Sequence, residues 1–255
     1  MFSNVICTVS GKNASRIVQH RLPHLNDISA VTVMVVNMYY TNPDLLPVHG
    51  FGYLIPRSLS HKQNPEYALG VVFDSDALTG QDSAPGTKVT VMLGGRYWDH
   101  WSAYPDENEG AEMAKNIVKR HLGIEEPPRI ISVSLQKDCI PQYTVGHHAR
   151  MKRVHEELLV QFKGRLQLAG NSYTGVSVND CVAAGYEAAN SVKSPRSAAG
   201  TTGLENFADS KRVQVKGQEL APLAPYAMAE LIRQEDEKHN ASGDGRGGAV
   251  KKEGP

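Results

Sequence analysis

Residues 166–182, with the sequence LQLAGNSYTGVSVNDCV, join an apolar run, a loop of small and polar residues, and the start of a helix. The pattern predicts a short buried strand followed by a helix over residues 178–192, which Asn179 or Asp180 caps. The unpaired N–H groups of that helix point back at the loop and carry partial positive charge. They therefore suit a phosphate or the electron-rich edge of a cofactor ring. The same pattern also fits a tight strand-to-helix turn whose glycines serve only the backbone.

The composition excludes several classes of protein. A chain of 255 residues can bury one large core or two small ones. Its 27 Lys and Arg balance 27 Asp and Glu, so no overall charge attracts it to nucleic acid. The three cysteines, Cys7, Cys139 and Cys181, are too few and too far apart for a disulfide framework or a Cys-x-x-Cys zinc site. No apolar run approaches the roughly 20 residues of a membrane-spanning helix.

The middle of the chain has the pattern of a sheet. Residues 30–40, AVTVMVVNMYY, are almost continuously apolar and give the strongest strand signal. The runs FGYLIP, ALGVVFD and TKVTVML follow, separated by loops of Asn, Pro, Gly and Asp, which predicts an antiparallel meander. The next segment, ENEGAEMAKNIVKRHLG, is a helix with Asp106 as its cap and Gly123 as its stop. A strand at RIISVSLQ and a surface helix at ARMKRVHEELLVQF complete the prediction.

The last sixty residues differ from the rest. Residues 195–255 are small, charged and Gly-rich, which predicts a largely disordered tail whose removal would hardly affect folding. The tail contains GDGRGG, which matches the dinucleotide fingerprint G-x-G-x-x-G. That fingerprint works only where a buried strand delivers the loop onto a helix, and here EDEKHNAS precedes it. We therefore reject a nucleotide site in the tail.

The sequence offers no clear catalytic or metal-binding residues. His147, His148 and His155 are close in sequence, but neighbouring helix residues do not face one another, and no carboxylate or thiol completes a ligand set. We interpret them as surface and loop histidines. No G-x-S-x-G elbow occurs. The aromatic stretch VMLGGRYWDHW fits either a pocket cover or a core.

Apolar strands, few reactive side chains and one amide-presenting loop are typical of a cofactor enzyme. A flavin carries out hydride chemistry itself and needs the protein for position, electrostatics and water exclusion. A simple binding module would have a similar sequence.

Five stretches, in order between residues 50 and 182, carry a resemblance to a known family. They are GFGYLIP, ALGVVFDS, TVMLGG, DCIPQYTVGH and GNSYTGVSVNDCV. Together they resemble the C-terminal half of the protoporphyrinogen oxidases, FAD-dependent members of the flavin amine oxidase superfamily, and most of all the mitochondrial enzymes of fungal type. The resemblance reaches back weakly to Asn4 and ends at about Ser194.

The resemblance implies a fold and a domain division. The fold is α/β (α+β), a partial FAD-dependent oxidase fold with an antiparallel or mixed-sheet substrate domain. Residues 1–22 would be a remnant of the FAD-binding domain, and residues 23–164 the substrate-binding domain. Residues 165–194 would be the C-terminal strand, loop and helix of the FAD-binding domain.

The resemblance also implies site residues. The residues matching the FAD contacts, chiefly through backbone N–H groups, are Asn171, Val176, Ser177 and Val178. The residues matching the apolar wall of a tetrapyrrole pocket are Phe51, Leu69, Val72 and Met92. Spacing alone would place the latter four in an ordinary core.

The activity implied is the six-electron oxidation of protoporphyrinogen IX to protoporphyrin IX in haem biosynthesis, with molecular oxygen reoxidising FAD. The implied location is the mitochondrial inner membrane, with peripheral membrane association and a homodimer as further expectations. The family's N-terminal G-x-G-x-x-G loop and its propionate-binding Arg have no match here, so we expect the isolated chain to be inactive. The alternatives are a non-catalytic tetrapyrrole-binding or interaction module and another flavin amine oxidase, against which CIPQYTVGH and NSYTGV argue.

Overall fold

The computed structural model of the chain describes residues 3–77, 80, 82–193 and 201–208. These residues form a five-stranded antiparallel sheet, a two-stranded parallel sheet and the helices around them. The predicted mixed α/β class is confirmed. The segment GDGRGG lies outside the described residues, as does most of the predicted tail.

The described residues contain strands, α-helices and short 3₁₀ turns. The strands are β1 (Val5–Cys7), β2 (Ala30–Tyr40), β3 (Gly52–Leu54), β4 (Ala68–Phe73), β5 (Thr87–Gly94), β6 (Ile130–Pro141) and β7 (Leu166–Leu168). The α-helices are α1 (Gly11–Ile17), α2 (Asp74–Ala77), α3 (Glu107–Leu122), α4 (His147–Phe162) and α5 (Val178–Lys193). Short 3₁₀ turns cover Pro23–Asp27, Gly95–Trp98 and Glu205–Phe207.

The large sheet has the order β3-β4-β5-β2-β6. The predicted meander is confirmed for β3, β4 and β5, whereas β2 lies between β5 and β6. Val36 of β2 pairs with Val91 on one side and Val133 on the other. The long apolar run of β2 suits this position because a central strand is shielded by neighbours on both edges.

Helix α3 covers one face of this sheet. Its residues Ala114, Ile117 and Val118 are fully buried in the core of the sheet. The predicted ends are confirmed: Asp106 and Glu109 form a reciprocal capping box, and Gly123 closes the helix in the left-handed conformation. Helix α3 does not cover the opposite face of the sheet.

A second core joins the small parallel sheet to α1 and α4. Strand β1 is short because the chain turns into α1 at Gly11. Helix α4 was predicted to be a surface helix, but it is amphipathic. Its residues Met151, Val154 and Leu158 are fully buried.

Residues 201–208 require a correction to the predicted tail. The carbonyl of Thr202 accepts a 2.8 Å hydrogen bond from the N–H of Leu168 in β7, and Leu204 is fully buried in the second core. Gly203 lies against the Leu168 carbonyl with φ +78°, where a Cβ would collide with that oxygen. The segment packs because Leu204 supplies an apolar side chain that composition alone did not distinguish.

The described helices include none that is both long enough and apolar enough to span a bilayer.

Candidate functional site

The loop between β7 and α5, residues 170–177, is called the amide loop here. It begins at Gly170, whose φ of +119° favours glycine, and it passes close to the carbonyl of Thr8. Tyr173 in its middle is 1% exposed and donates its hydroxyl to the Val9 carbonyl at 2.8 Å. The loop is therefore held against the β1–α1 connection by a buried side chain.

Helix α5 begins with a cap that differs from the predicted one. Ser177, rather than Asn179 or Asp180, is the N-cap, because its Oγ accepts the N–H of Asp180 at 3.1 Å. The Asp180 carboxylate accepts the Ser177 N–H at 3.0 Å in return, which makes a capping box. These bonds from the hydroxyl and backbone of Ser177 hold the pKa of Asp180 below its usual value.

The capping box changes the electrostatics predicted for the helix start. The negative charge of Asp180 offsets the positive end of the helix dipole. Among the described hydrogen bonds, none uses the N–H groups of Val178 or Asn179. The site therefore offers two adjacent N–H donors rather than a net positive charge.

A groove lies between the amide loop and the connection to β2. Its volume is about 600 Å³. It is lined by residues that include Ser10, Gly11, Ala30, Cys139, Asn171 and Ser172. Of the predicted cofactor residues, Asn171 lines the groove, whereas Val176, Ser177 and Val178 are exposed at the start of α5.

The face of the large sheet opposite α3 is called the open face here. Met92 pairs across the strands with Val35 and with Gly70, and Gly70 pairs with Leu54 on the edge strand. Gly70 has no side chain, and Leu54 lies over it, with its Cδ2 only 3.1 Å from the position that a Cβ of residue 70 would take. Val72 lies on the same face, since it is two residues from Gly70 along β4.

The other two predicted pocket residues are placed differently. Leu69 is the extra residue of a β-bulge, where the register shifts between Ala68 and Gly70, and its side chain packs near Gly95. The bulge turns Leu69 away from the buried Ala68, towards the side of the open face. Phe51 precedes β3 at the sheet edge and is 73% exposed. The structure thus groups Met92, Val72 and Leu69 and leaves Phe51 apart.

A polar cluster at the far end of the open face escaped the sequence prediction. The Thr90 hydroxyl lies 2.7 Å from Asn37 Oδ1 and 2.7 Å from Asp74 Oδ2. A hydroxyl donates only one proton and the carboxylate only accepts, so Thr90 donates to Asp74 and the Asn37 amide is best oriented with its N–H₂ towards Thr90. These residues line a cavity of about 210 Å³. No local pattern indicates the cluster, because it combines two strands and a helix start.

Two of the three histidines were misinterpreted as surface residues. His147 and His155 are each 8% exposed. His147 Nε2 lies 2.9 Å from the Tyr173 carbonyl, and His155 Nδ1 lies 2.7 Å from the Thr202 hydroxyl. His148 contacts Phe207 edge to face. A helical pattern with the period of α4 places 147, 151, 154, 155 and 158 on one face, which is the signal that could have identified the buried pair.

The aromatic stretch after β5 belongs to the core. Trp98 is 2% exposed and packs with Trp101 and Tyr104, so the pocket-cover alternative is not needed for it. Among the described residues, no group of three or more His, Cys, Asp or Glu side chains could hold a metal ion.

Comparison with known proteins confirms the predicted resemblance. The chain is 38% identical over 165 residues to protoporphyrinogen oxidase of Schizosaccharomyces pombe, covering 64% of this chain and 33% of that protein. It is 42% identical over 172 residues to protoporphyrinogen oxidase of Homo sapiens, covering 66% of this chain and 35% of that protein. The chain thus spans about a third of the length of these relatives. No family model matches it.

A solved structure supports the fold. A candidate protoporphyrinogen oxidase from Exiguobacterium superposes with a TM-score of 0.62 at 23% identity, covering 74% of this chain and 41% of that one. At this identity the match establishes the fold alone.

Proposed function

We propose that the chain is the C-terminal portion of an FAD-dependent protoporphyrinogen IX oxidase that uses molecular oxygen as acceptor in haem biosynthesis. The proposal rests on one observation: the groove and the open face lie along the same strand, β2. The groove beside the amide loop adjoins Ala30 at the start of β2, and Met92 pairs with Val35 farther along it. Five residues of strand separate them by about 17 Å. A cofactor ring and a flat apolar substrate need such neighbouring sites.

The amide loop fits one edge of a flavin ring. Asn171 would meet FAD from the groove, and residues 176–178 would meet it through the backbone at the start of α5. The free N–H groups of Val178 and Asn179 suit the ring's acceptor atoms. When bound, the flavin supplies the hydride acceptor. The protein residues then orient the ring and exclude water.

The open face fits a flat apolar ligand. Met92 and Val72 supply apolar side chains on either side of the flat backbone at Gly70, and Leu69 extends the wall at the bulge. Such a surface would bind a tetrapyrrole mainly through apolar contact, so it requires no catalytic side chain of its own.

Exposed apolar side chains on α5 support a requirement for a further polypeptide segment. Val178, Val182 and Tyr186 recur at four-residue spacing on α5 and are 79%, 67% and 70% exposed. This set is called the α5 stripe here. Parallel sheets are normally covered on both faces and rarely consist of two strands. We therefore expect the chain to bind FAD and to turn over only together with the remaining part of an oxidase.

A hybrid protein tests the proposal. The matching third of the Schizosaccharomyces pombe relative is replaced by this chain, and the purified hybrid is assayed for bound flavin and for protoporphyrin fluorescence. We expect a flavin spectrum that survives desalting and production of protoporphyrin. A folded hybrid without flavin, combined with tight binding of protoporphyrin IX by the chain alone, would favour the non-catalytic module instead.

A matched pair of substitutions sharpens the test. Val178→Asp places a carboxylate beside the free N–H groups, so the hybrid should lose flavin. Val160→Asp on α4 is the control, because Val160 is also 79% exposed but lines a separate surface hollow with His24 and Arg153. Equal flavin loss in both variants would contradict the assignment of the amide loop.

The location we propose is the mitochondrial inner membrane, and it rests on the resemblance to fungal-type enzymes. Fractionation of cells that express the chain with a C-terminal epitope would test it. The hybrid protein, with the same epitope, is fractionated beside it, and recovery of both in the cytosolic fraction would contradict the proposal.

A further inference from the structure

We propose that Tyr143 and His147 are positioning residues that fix the backbone of the amide loop. The proposal rests on the proposed function only for the identity of the ligand, since the contacts themselves lie within the chain. Both residues flank the connection from β6 to α4, some thirty residues before the loop in sequence.

The two side chains hold alternate carbonyls of the loop. The Tyr143 hydroxyl donates to the Asn171 carbonyl at 2.7 Å. His147 Nε2 lies 2.9 Å from the Tyr173 carbonyl. Their rings stack with centroids 4.0 Å apart and planes inclined by 9°. Stacking fixes each ring against the other, so both donors are held in one orientation.

The residue between those carbonyls is held from the opposite side. The Gly11 N–H donates to Ser172 Oγ at 3.3 Å, and the Tyr173 hydroxyl donates to the Val9 carbonyl. Three consecutive residues are thus fixed by two separate connections. With their carbonyls engaged on the Tyr143 and His147 side, Asn171 and its neighbours have a defined peptide orientation at the groove.

The hydrogen bond to Tyr173 also defines the protonation of His147. A carbonyl only accepts, so the proton resides on Nε2. Nδ1 is buried and has no hydrogen-bond partner among the described residues. Burial lowers the pKa of His147, the Tyr173 carbonyl opposes this, and the nearby Arg150 and His148 lower it further. The lowered pKa thus favours the neutral ring, which keeps its proton on Nε2 for the loop.

The arrangement explains why two of the five family-like stretches occur together. The stretch DCIPQYTVGH supplies Tyr143 and His147, and GNSYTGVSVNDCV supplies the loop that they hold. A binding role for the first stretch is not needed, because its two aromatic residues act through the second.

Substitutions in the full chain test the inference by amide hydrogen exchange of residues 170–177. Tyr143→Phe keeps the stacked ring and removes one donor, so exchange in the loop should rise about five-fold, the loss expected for one hydrogen bond. Tyr39→Phe is the control, because the Tyr39 hydroxyl also donates to a carbonyl, that of Pro85 at 2.8 Å, in another part of the chain. It should leave the loop unchanged.

Substitutions of His147 provide a second, independent measurement. His147→Leu should also speed exchange in the loop, and His147→Gln, whose amide can still donate, should restore most of the protection. Unchanged exchange in both Tyr143→Phe and His147→Leu would overturn the inference. So would equal acceleration over the whole chain, which would indicate a general loss of stability.

The flavin spectrum of the hybrid separates the inference from the proposed function. If Tyr143→Phe speeds exchange and also shifts the spectrum or weakens flavin retention, both are supported. If exchange rises while flavin retention is unchanged, the positioning role stands and the assignment of the loop to flavin fails.

Discussion

The large sheet and the small parallel sheet bury their cores by different means. The large sheet pairs strands of up to twelve residues and is covered on one face by α3 within the same chain. The small sheet pairs only three residues on each strand, depends on Leu204 from far along the chain, and leaves the α5 stripe exposed. The core of the large sheet thus comes from one stretch of the chain, residues 30–141, whereas the small sheet combines segments that are far apart in sequence.

Removal of residues 194–255 should have the largest effect on the difference between the two sheets. The small sheet would lose the buried Leu204 and the hydrogen bond to Leu168, so we expect a loss of about 3 to 5 kcal/mol in the free energy of unfolding of the second core. Composition alone predicted almost no effect. Hydrogen exchange of α4 and β7 measures the loss.

A chain that ends at Ala208 is the control for that truncation, because it keeps the docked segment. Equal stability of the two shortened chains would show that residues 201–208 contribute nothing to the second core.

A substitution at Gly203 tests the same contact more finely. Gly203→Ala introduces a Cβ against the Leu168 carbonyl at a positive φ, which should cost about 2 to 3 kcal/mol. Gly123→Ala is matched to it, because Gly123 also has a positive φ but open space around it, and should cost only about 1 kcal/mol. Denaturant unfolding measures the free energy of unfolding of both variants. Similar costs would show that the close approach of Gly203 to the Leu168 carbonyl has no special role.

Local pattern predicted the large sheet much better than the small one. The bounds of β2 and the cap of α3 follow from contiguous residues, so periodicity and capping chemistry were sufficient for them. The insertion of β2 between β5 and β6 was missed, because strand order depends on contacts between distant segments. The docking of residues 201–208 was missed for the same reason.

The candidate site shows the same limit. Family-like stretches predicted roles for Asn171 and Met92, and these roles stay predictions; the structure places the two residues at the groove and on the open face. They did not identify Tyr143 or His147, because these side chains act across thirty residues of sequence. The choice of Ser177 over Asn179 as cap depended on where the helix begins, which pattern fixes only to within a residue or two.

A substitution on the open face tests whether that surface binds substrate or only completes a core. In the hybrid, Met92→Ala should weaken binding of a tetrapyrrole by about 1 to 3 kcal/mol and leave the flavin spectrum intact. Titration with protoporphyrin IX, monitored by fluorescence, measures the effect, and Val160→Ala serves as a control on an exposed helix. A lower melting temperature with unchanged tetrapyrrole affinity would reassign Met92 to the ordinary core.

The smallest expected difference between the two regions is in their response to acid. His147 in the second core has a lowered pKa, so its contribution to stability is complete above the unfolded value of about 6.5 and is lost as the pH falls below it. In the large sheet, burial alone would raise the pKa of Glu66, but the bidentate hydrogen bonds from Arg120 hold it below 4.5. The contribution of Glu66 is therefore lost only as the pH falls below about 4.5.

Acid should consequently loosen the small sheet before the large one. Hydrogen exchange at pH 7, 6, 5 and 4, a series chosen to bracket the two ordinary pKa values, should show a loss of protection relative to the intrinsic exchange rate at each pH, first in the amide loop and later in β4. His147→Gln removes the titrating ring but keeps a donor, so it should abolish the first change and preserve the second. Glu66→Gln should do the reverse. If both regions respond together in the unsubstituted chain, they unfold as one cooperative unit. The contrast between the large and the small sheet would then not extend to their stability.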